Sequence, residues 1–465
     1  MQEIVLKYSY LIACVLFIIG LKLLSKPDTA RKGNLWGAAG MGIAIIMTIL
    51  LYERNGVKIG NHIWIIGGLL VGTIAGWLSA KKVAMTAMPQ MVSFFNGMGG
   101  ACAAVIALIE FGGTVGTGDH IALLTVMGSL VVGSLTFSGS MIAFLKLNGN
   151  LKKDIRLPFY NILNTLMLLL IVGLTICLFL GHIQNVYLWF YILGALAFIY
   201  GILFVIPIGG ADMPVVISLL NSFSGISGCL AGLIYGNDVM IVGGILVGAA
   251  GTILTVVMCV AMNRSLTNVI FGAFGTGGAA VKGSDSGDKT YRSINVSDSA
   301  ILMNYSSSVV IVPGYGLAVA QAQHAVHELE SILESRGVSV KYAIHPVAGR
   351  MPGHMNVLLA EANVDYNKLV GMDDINPELP NTDVVLILGA NDVVNPVAKT
   401  EPDSPIYGMP IINAEDAKQC IIVKRSMNVG YAGIDNDLFY KSKSSMLFGD
   451  AKKILTELVA ELKTM

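Results

Sequence analysis

The sequence predicts a polytopic α-helical membrane domain of about nine spans, followed by an α/β domain with a parallel sheet. Three observations support this fold class. Hydrophobic residues make up 54% of the 465 residues and charged residues only 13%, about half of the ~25% usual in soluble proteins. The charges are unevenly placed, because 21 lie in residues 1–262 and 39 in residues 263–465. A strand, a glycine-rich turn and a helix follow one another in the second part.

The charge distribution also divides the chain and excludes some functions. We predict a membrane domain at 1–262, a hinge rich in Gly, Ser and Asp at 263–300, and a soluble domain at 301–465. Basic and acidic residues each number 30, so the formal net charge is zero. A nucleic-acid-binding surface would need an excess of basic residues, and we expect no nucleic-acid partner. No hydrolytic or metal-binding motif is present in the sequence, so we expect no metal site.

Nine stretches are long enough for a membrane helix, which needs about 20 apolar residues to cross the hydrocarbon core. Their ranges are 5–24, 35–51, 63–80, 91–109, 121–145, 159–180, 186–208, 215–235 and 239–262. The loops after spans one, three, five and nine hold ten lysines and arginines, whereas the opposite side has Lys7, Arg54 and Lys58. The positive-inside rule therefore predicts an N-terminus outside and a second domain in the cytoplasm.

Several spans carry amide and hydroxyl side chains, which must find hydrogen-bonding partners inside a bilayer. They are Asn96, Ser134, Thr136, Ser138, Ser140, Asn161, Asn164, Asn221, Ser222, Ser224 and Ser227. Two interpretations stay open, namely hydrogen bonds between helices and a water-lined path for a small ion. No acid or lysine lies in mid-span, and Asp212 lies at the cytoplasmic mouth of span eight. A proton on ordered water is therefore compatible with the path, and a bulky anion is not favoured.

Glycines in spans four and nine predict close helix packing. Span four contains Gly97 and Gly100, and span nine contains Gly244 and Gly248 with three residues between them. Small residues let helix backbones approach closely in lipid. Packing alone accounts for most of these glycines.

The second domain begins with the pattern of a nucleotide-binding unit. A buried strand at 308–313 precedes a G-x-G-x-x-V/A turn, a helix at 318–336 and a second strand at 338–344. In this context the pattern predicts a Rossmann-like unit whose glycines admit a pyrophosphate at the helix N-terminus. The alternative is a plain packing turn.

The choice between nucleotides depends on one missing acid and one basic pair. An NAD site usually has Asp or Glu about 20 residues after the glycines, but the second strand here ends at His345 and Pro346. Ordinary NAD binding is therefore disfavoured. Lys424, Arg425 and Ser426 follow the strand at 420–423 and suit the 2′-phosphate of NADP. The alternative for these residues is a solvated charge pair.

Three further loops, at 347–354, 389–396 and 424–431, follow predicted strands. Ligands of open α/β sheets bind beyond the carboxyl ends of the strands. Arg350 is a candidate for the pyrophosphate and Tyr431 for part of a lid, while His354 is either a loop hydrogen-bonder or a functional group. An acid beside a phosphorylated cofactor is unfavourable, so Asp392 is either solvated or a switch that takes up a proton.

Together these segments resemble the β subunit of the proton-translocating NAD(P) transhydrogenase family. The resemblance covers nearly the whole chain. It rests on PGYGLAVAQAQ at 313–323, HPVAGRMPGHMN at 345–356, GAND at 389–392, KRSMN at 424–428, GYAG at 430–433, GGADMP at 209–214 and AMNRS at 261–265.

The resemblance implies NADP(H) bound to the soluble domain and NAD(H) bound to a partner alpha subunit. Re/Si-specific hydride transfer between them would be coupled to proton movement and mainly generate NADPH. It further implies the bacterial inner membrane and a dimer of alpha–beta units. Direct transfer between two nicotinamides needs no acid or base, which agrees with the lack of a catalytic constellation. A channel or transporter gated by a cytoplasmic nucleotide-sensing domain is the alternative.

The resemblance also implies which loop residues bind the cofactor. They are Gly314, Tyr315, Gly316, Leu317, Ala318, Val319, Ala320, Val347, Ala348, Gly349, Arg350, Met351, Pro352, Gly389, Ala390, Asn391, Asp392, Val393, Lys424, Arg425, Ser426, Met427, Asn428, Val429, Gly430, Tyr431, Asp450 and Ala451. Asp392 would in addition couple protonation to cofactor binding.

For the membrane domain the resemblance implies a proton path. Its residues would be Asn96, Ser140, Asn221 and Asp212. Several family members carry His where Asn96 stands, and Asn cannot hold a proton near neutrality. Either water ordered by amides carries the proton here, or another group titrates, for which His62 is a candidate.

Overall fold

The computed structural model describes most of the chain. The described residues are 2–25, 27–54, 57–83, 87–115, 119–151, 159–181, 183–209, 212–263, 266, 290–349, 353–404, 406–430 and 432–465. They divide into two compact units, one of Met1–Ile208 with Val216–Leu254 and one of Gly209–Val215 with Thr255–Met465. Much of the predicted hinge at 263–300 lies outside the described residues, so the predicted domain boundaries stay predictions.

Nine helices of the described residues are long and apolar enough to cross a membrane, which confirms the predicted number of spans. They are α1 (Gln2–Leu24), α2 (Pro27–Leu51), α3 (His62–Lys82), α4 (Met88–Thr114), α5 (His120–Leu147), α6 (Tyr160–Phe179), α7 (Val186–Val205), α8 (Met213–Tyr235) and α9 (Asp238–Ala261). Two strands of two residues each, β1 (Glu53–Arg54) and β2 (Val57–Lys58), pair in antiparallel fashion between α2 and α3. The protein is therefore a membrane protein.

Glycines bring neighbouring helices into backbone contact. A Cβ atom on Gly100 of α4 would lie 2.8 Å from the carbonyl oxygen of Gly133 on α5, and the reverse distance would be 2.7 Å. Helices α8 and α9 meet in the same way, with Gly225 against the backbone of Gly248. Gly244 packs on the backbone of Cys229. The predicted packing role of the span glycines is thus confirmed at Gly100, Gly244 and Gly248.

The second unit is built on a six-stranded parallel sheet. Its strands are β3 (Ser308–Pro313), β4 (Ser339–Ile344), β5 (Leu369–Gly371), β6 (Val384–Leu388), β7 (Gln419–Lys424) and β8 (Ser444–Phe448). Their order across the sheet is β5-β4-β3-β6-β7-β8. The chain therefore leaves β3 in one direction for β4 and β5 and returns to its other side for β6. This order is that of a doubly wound dinucleotide-binding sheet and confirms the predicted Rossmann-like domain.

Helices and short loops cover both faces of this sheet. The helices are α10 (Val296–Asn304), α11 (Tyr315–Val319), α12 (Gln323–Ser335), α13 (His354–Glu361), α14 (Met372–Ile375), α15 (Val397–Thr400) and α16 (Ala451–Thr464). Alternate residues of β3 enter different cores, with Ile311 packed among α10, α12, α13 and α16 and Val312 on the opposite face. The central strands β3 and β6 are consequently buried on both faces.

The predicted single helix at 318–336 is wrong. The structure has α11 and α12 in its place, separated by Ala320, Gln321 and Ala322. Gln321 adopts a left-handed backbone with φ of 48°, a conformation that interrupts a right-handed helix. The helix directly after the glycine turn therefore has only five residues.

Candidate functional site

Three glycines form a backbone contact at the centre of the sheet edge. The Gly316 N–H donates to the Gly389 carbonyl oxygen at 3.0 Å, and the Gly314 N–H donates to the Leu388 carbonyl oxygen at 2.9 Å. A Cβ atom on Gly316 would lie 2.7 Å from the Gly389 Cα, and Gly389 itself has a φ of 67°. The contact lies between β3 and β6, where the strand order reverses and α/β sheets bind ligands.

The glycine turn has two interpretations, and loop packing explains directly why positions 314 and 316 are glycine. The backbone of the β6 loop fills the space in which a side chain at Gly314 or Gly316 would lie. This packing also keeps the surface at the switch point free of side chains from these positions. Pyrophosphate binding there stays a prediction.

The loop after β4 is held by a buried histidine. The His345 ring is 1% exposed, its Nε2 lies 2.8 Å from the Pro410 carbonyl oxygen, and its Nδ1 accepts from the Val347 N–H at 3.3 Å. Burial lowers the pKa of His345, which favours the neutral ring, and its partners assign the proton to Nε2, because a carbonyl oxygen can only accept and Nδ1 accepts from the Val347 N–H. Further along the loop, Gly349 has a φ of 107° and packs against the fully buried His354.

The loops after β6 and β7 meet through Asp392. Its Oδ2 accepts from the Ala432 N–H at 3.0 Å. A Cβ atom on Gly430 would lie 2.5 Å from Asp392 Oδ1 and 2.6 Å from Asn391 Nδ2. Only a glycine lets the backbone at position 430 approach the β6 loop this closely.

Two buried asparagines, neither of them singled out by the sequence motifs, fix the far end of the β7 loop. Asn436 donates from Nδ2 to both the carbonyl oxygen and Oδ1 of Asn391, each at 3.0 Å. Asn395 donates from Nδ2 to the Asp435 carbonyl oxygen at 2.9 Å. Their exposed fractions are 1% and 0%. Only the Asn-rich composition of these loops gave any sequence signal for this arrangement.

Lys424 ends β7 and turns its ammonium towards the loop. Its Nζ donates to the Asn428 carbonyl oxygen at 2.6 Å and lies 4.5 Å from the centre of the Phe439 ring. Burial lowers the pKa of Lys424, while the negative charges of Asp392 and Asp435 oppose that shift. The lysine is thus a half-buried cation beside two acids.

Arg425 has a different neighbour. Its guanidinium donates to Asp450 Oδ2 at 3.1 Å, while Asp450 Oδ1 accepts from the Lys452 N–H at the start of α16. Helix α16 packs on one face of the sheet, and Phe439 beneath Lys424 belongs to the core of the other face. The two cations that were predicted to share one phosphate therefore have separate partners. The exposed hydroxyl of Ser426 accepts from the Asn428 N–H at 3.4 Å.

Most predicted cofactor residues lie at the carboxyl ends of five strands on one sheet edge. Leu317 and Ala318 are buried in the core, whereas Val319 and Val429 are exposed. Four predicted residues lie outside the described part of the chain. They are Arg350, Met351, Pro352 and Tyr431.

In the membrane helices, Asn96 of α4 and Ser140 of α5 are paired. Asn96 Nδ2 donates to Ser140 Oγ at 3.1 Å, and Ser224 of α8 donates to the Asn96 carbonyl oxygen at 3.0 Å. Interhelical hydrogen bonding, one of the two interpretations left open, is therefore confirmed for these residues. Asn221 and Asp212 are partly exposed.

Comparisons with known proteins cover almost the whole chain. A family model described as NAD(P) transhydrogenase beta subunit matches residues 6–461. A protein named NAD(P) transhydrogenase subunit beta from Rhodospirillum rubrum is 46% identical over 460 residues, which is 97% of each chain. A second sequence of that name, from a defined strain of the same species, gives the same identity and coverage.

Proposed function

Because the chain belongs to the family of NAD(P) transhydrogenase beta subunits, we propose that its sheet edge binds NADP(H) and exchanges hydride with NAD(H) on an alpha subunit. The main support is that five loops carrying the predicted residues lie at the carboxyl ends of the strands of a doubly wound sheet, on both sides of its switch point, with an exposed arginine in the loop after β7. NADP(H), when bound, supplies or accepts the hydride. The protein residues bind and orient it.

The residues at the edge fit a phosphorylated dinucleotide. The bond from Arg425 to Asp450 uses one of the five N–H donors of a guanidinium, and the side chain is 63% exposed. A 2′-phosphate beside Arg425 and Ser426 would therefore be accessible to a charged donor and a hydroxyl. The half-buried ammonium of Lys424 contributes positive potential from the other side of the strand end.

The loop after β7 is proposed to close over the nucleotide. Asp392 holds this loop at Ala432, and Gly430 lies directly against Asp392. A carboxylate accepts a hydrogen bond more strongly than its neutral acid form does. Proton uptake by Asp392 would therefore weaken the closed loop and change cofactor affinity, which is the linkage that a proton-driven reaction requires.

In the membrane, we propose that protons pass beside the Asn96–Ser140 pair with Asn221 and Asp212 on the same path. Asn96 is 9% exposed and Ser140 fully buried, so water beside them would be held by amide and hydroxyl groups. We further propose an inner-membrane location with the N-terminus outside, a cytoplasmic nucleotide domain and a dimer of alpha–beta units.

The test of cofactor identity is a titration of the full chain in detergent with NADP⁺ and, separately, NAD⁺, followed by calorimetry. NAD⁺ is the matched control because it lacks only the 2′-phosphate. We expect NADP⁺ to bind at least about tenfold more tightly, the scale of one charge-assisted hydrogen bond. Equal affinities would contradict the proposal.

A further inference from the structure

The C-terminal end of the loop after β7 is anchored by buried side chains, whereas the loop itself is exposed. Between Arg425 and Ile434 the described residues are exposed or partly exposed, but Asn436 is 1% exposed and Asn395 fully buried. Asn395 donates to the Asp435 carbonyl oxygen at 2.9 Å and accepts from the Val397 N–H at 3.2 Å. The loop therefore has a fixed end at residues 435–436.

All the hydrogen bonds of the Asn436 side chain fix one orientation. Its Nδ2 donates to two oxygens of Asn391, and its Oδ1 accepts from the Leu438 N–H at 3.0 Å. Exchanging the amide oxygen and nitrogen would place acceptor against acceptor and donor against donor. The partners thus define which end of the amide is which.

This orientation of Asn436 determines that of Asn391. Because Asn391 Oδ1 accepts from Asn436, the other end of the Asn391 amide is turned towards the Gly430 backbone, where Nδ2 would lie 2.6 Å from an added Cβ. Asp392, the next residue, reaches Ala432 of the same loop. One side chain at the fixed end therefore holds both the amide of Asn391 and the peptide carbonyl that joins Asn391 to Asp392, and these two residues contact the middle of the loop.

We propose that Asn436 is a positioning residue that sets how long the loop at 425–434 stays closed over bound NADP(H). It acts through Asn391 and Asp392 and touches neither the nicotinamide nor the phosphate. Asn395 supports the same anchor from Asp435. This inference rests on the proposed function, because it requires that the loop covers a nucleotide.

The test variant is Asn436→Asp in the full chain. The aspartate still accepts from the Leu438 N–H. Its second oxygen takes the place of Nδ2, so the two hydrogen bonds to the carbonyl oxygen and Oδ1 of Asn391 become contacts between acceptors. We expect NADPH to leave about tenfold faster, as expected when a buried hydrogen bond is replaced by a repulsive contact. The measurement is the decay of bound-NADPH fluorescence after dilution into excess NADP⁺.

The matched control is Asn237→Asp. Asn237 makes the same kind of bridge, donating to the Tyr10 hydroxyl oxygen at 3.2 Å and accepting from the Met240 N–H at 3.1 Å, but it belongs to the unit of the membrane helices, whereas the β7 loop belongs to the other unit. A structural effect alone would lower the thermal unfolding midpoint of both variants and leave NADPH release unchanged. Faster release in Asn436→Asp but not in the control supports the proposal.

Unchanged release in Asn436→Asp overturns the proposal if NADP⁺ still binds more tightly than NAD⁺, and the proposed function then stands. If the wild-type chain itself bound NADP⁺ and NAD⁺ equally, the proposed function would be contradicted instead. If Asn436→Asp does not fold, Asn395→Asp replaces it, since it keeps the acceptor for Val397 and loses the donor to Asp435. Release at the wild-type rate in that variant overturns the proposal equally.

Discussion

The carboxylate of Asp392 accepts a hydrogen bond from the backbone N–H of Ala432 at 3.0 Å, across 40 residues of chain. This bond joins the loop after β6 to the loop after β7. It depends on a side chain that can exist with or without a proton, and hydrogen bonds to ionised groups are about twice as strong as neutral ones. The contact is therefore the one on which the proposed coupling of proton uptake to loop closure depends.

The first prediction concerns this bond. In Asp392→Asn we expect a folded protein whose NADPH release is about tenfold faster at alkaline pH and nearly independent of pH. The amide is a weaker acceptor and cannot take up a proton. Stopped-flow fluorescence of NADPH across the stable pH range is the measurement. Asp403→Asn, an exposed acid in another loop, is the control, and a wild-type pH profile in Asp392→Asn would remove Asp392 as the switch.

The second prediction concerns the space at Gly430. Gly430→Ala places a Cβ atom 2.5 Å from Asp392 Oδ1, so the loop must move away. We expect weaker NADPH binding through faster release, by about tenfold or more, since overpacking typically costs about 1–3 kcal/mol. Gly371→Ala is the control because the nearest atom to its added Cβ is 3.7 Å away. Equal release rates in the two variants would show that the loop does not close against Asp392.

The third prediction concerns Arg425. In Arg425→Ala we expect NADP⁺ to bind about 1.5–3 kcal/mol less tightly, nearer the lower value because the guanidinium is mostly exposed. NAD⁺ affinity should hardly change, and the lost bridge to Asp450 should contribute little to stability. Isothermal titration of the full chain measures both affinities, with the exposed Lys443→Ala as control. Unchanged NADP⁺ binding would show that the phosphate assignment is wrong.

The fourth prediction tests the membrane pair. Ser140→Ala removes the Oγ that accepts from Asn96 Nδ2, so the amide loses its fixed orientation. In proteoliposomes with an alpha subunit we expect proton movement, followed with a pH-sensitive dye, to fall severalfold while NADP⁺ affinity stays constant. Ser129→Ala is the control, since Ser129 is equally buried and joins α5 to α4 through the Ala103 carbonyl oxygen. Equal effects of the two changes would assign Ser140 to packing alone.

A buried carboxylate far from the loops described above provides a stability test. Glu330 is 1% exposed and accepts from Lys368 at 2.5 Å, Tyr342 at 2.8 Å and His327 at 3.1 Å. Burial alone would raise the pKa of Glu330, but these hydrogen bonds outweigh it and the pKa lies below its usual value. Its contribution to stability is therefore present above the ordinary pKa of a glutamate and is lost as the pH falls through the lowered pKa.

The fifth prediction follows from that cluster. Glu330→Gln should cost about 2–3 kcal/mol near neutral pH, less than the ~3–5 kcal/mol of a fully buried pair because Lys368 is a quarter exposed. The loss should shrink in acid, where wild-type Glu330 also becomes neutral. Calorimetric unfolding of the full chain in detergent measures this. Glu334→Gln, the more exposed partner of Lys368, should cost less than about 1 kcal/mol, and an equal cost would contradict the buried-cluster account.

Local patterns in the sequence predicted much of the fold. Apolar runs of the right length gave the nine helices, and the strand–turn–helix pattern gave the parallel sheet. The break at Gln321 was missed because no glycine marks its left-handed backbone. Strand alternation could have indicated that Lys424 and Arg425 face different sides, but adjacency in sequence suggested a shared phosphate.

The asparagine anchor could not be predicted from local patterns. Asn436 and Asn391 are 45 residues apart, and Asn395 and Asp435 are 40 apart. A buried asparagine in a loop has the same sequence context as an exposed one. Only the arrangement of β6 and β7 as neighbours in the sheet brings their loops together, and the same holds for Gly430 and Asp392.

The contact of Gly100 with Gly133 has a consequence for leakage. A membrane that stores energy as a proton gradient loses it through any continuous file of water. Where the two glycine backbones touch, even a methyl group does not fit. This level of the seam between α4 and α5 is therefore closed by backbone contact, and enlarging either residue would force the helices apart and open space for water between them.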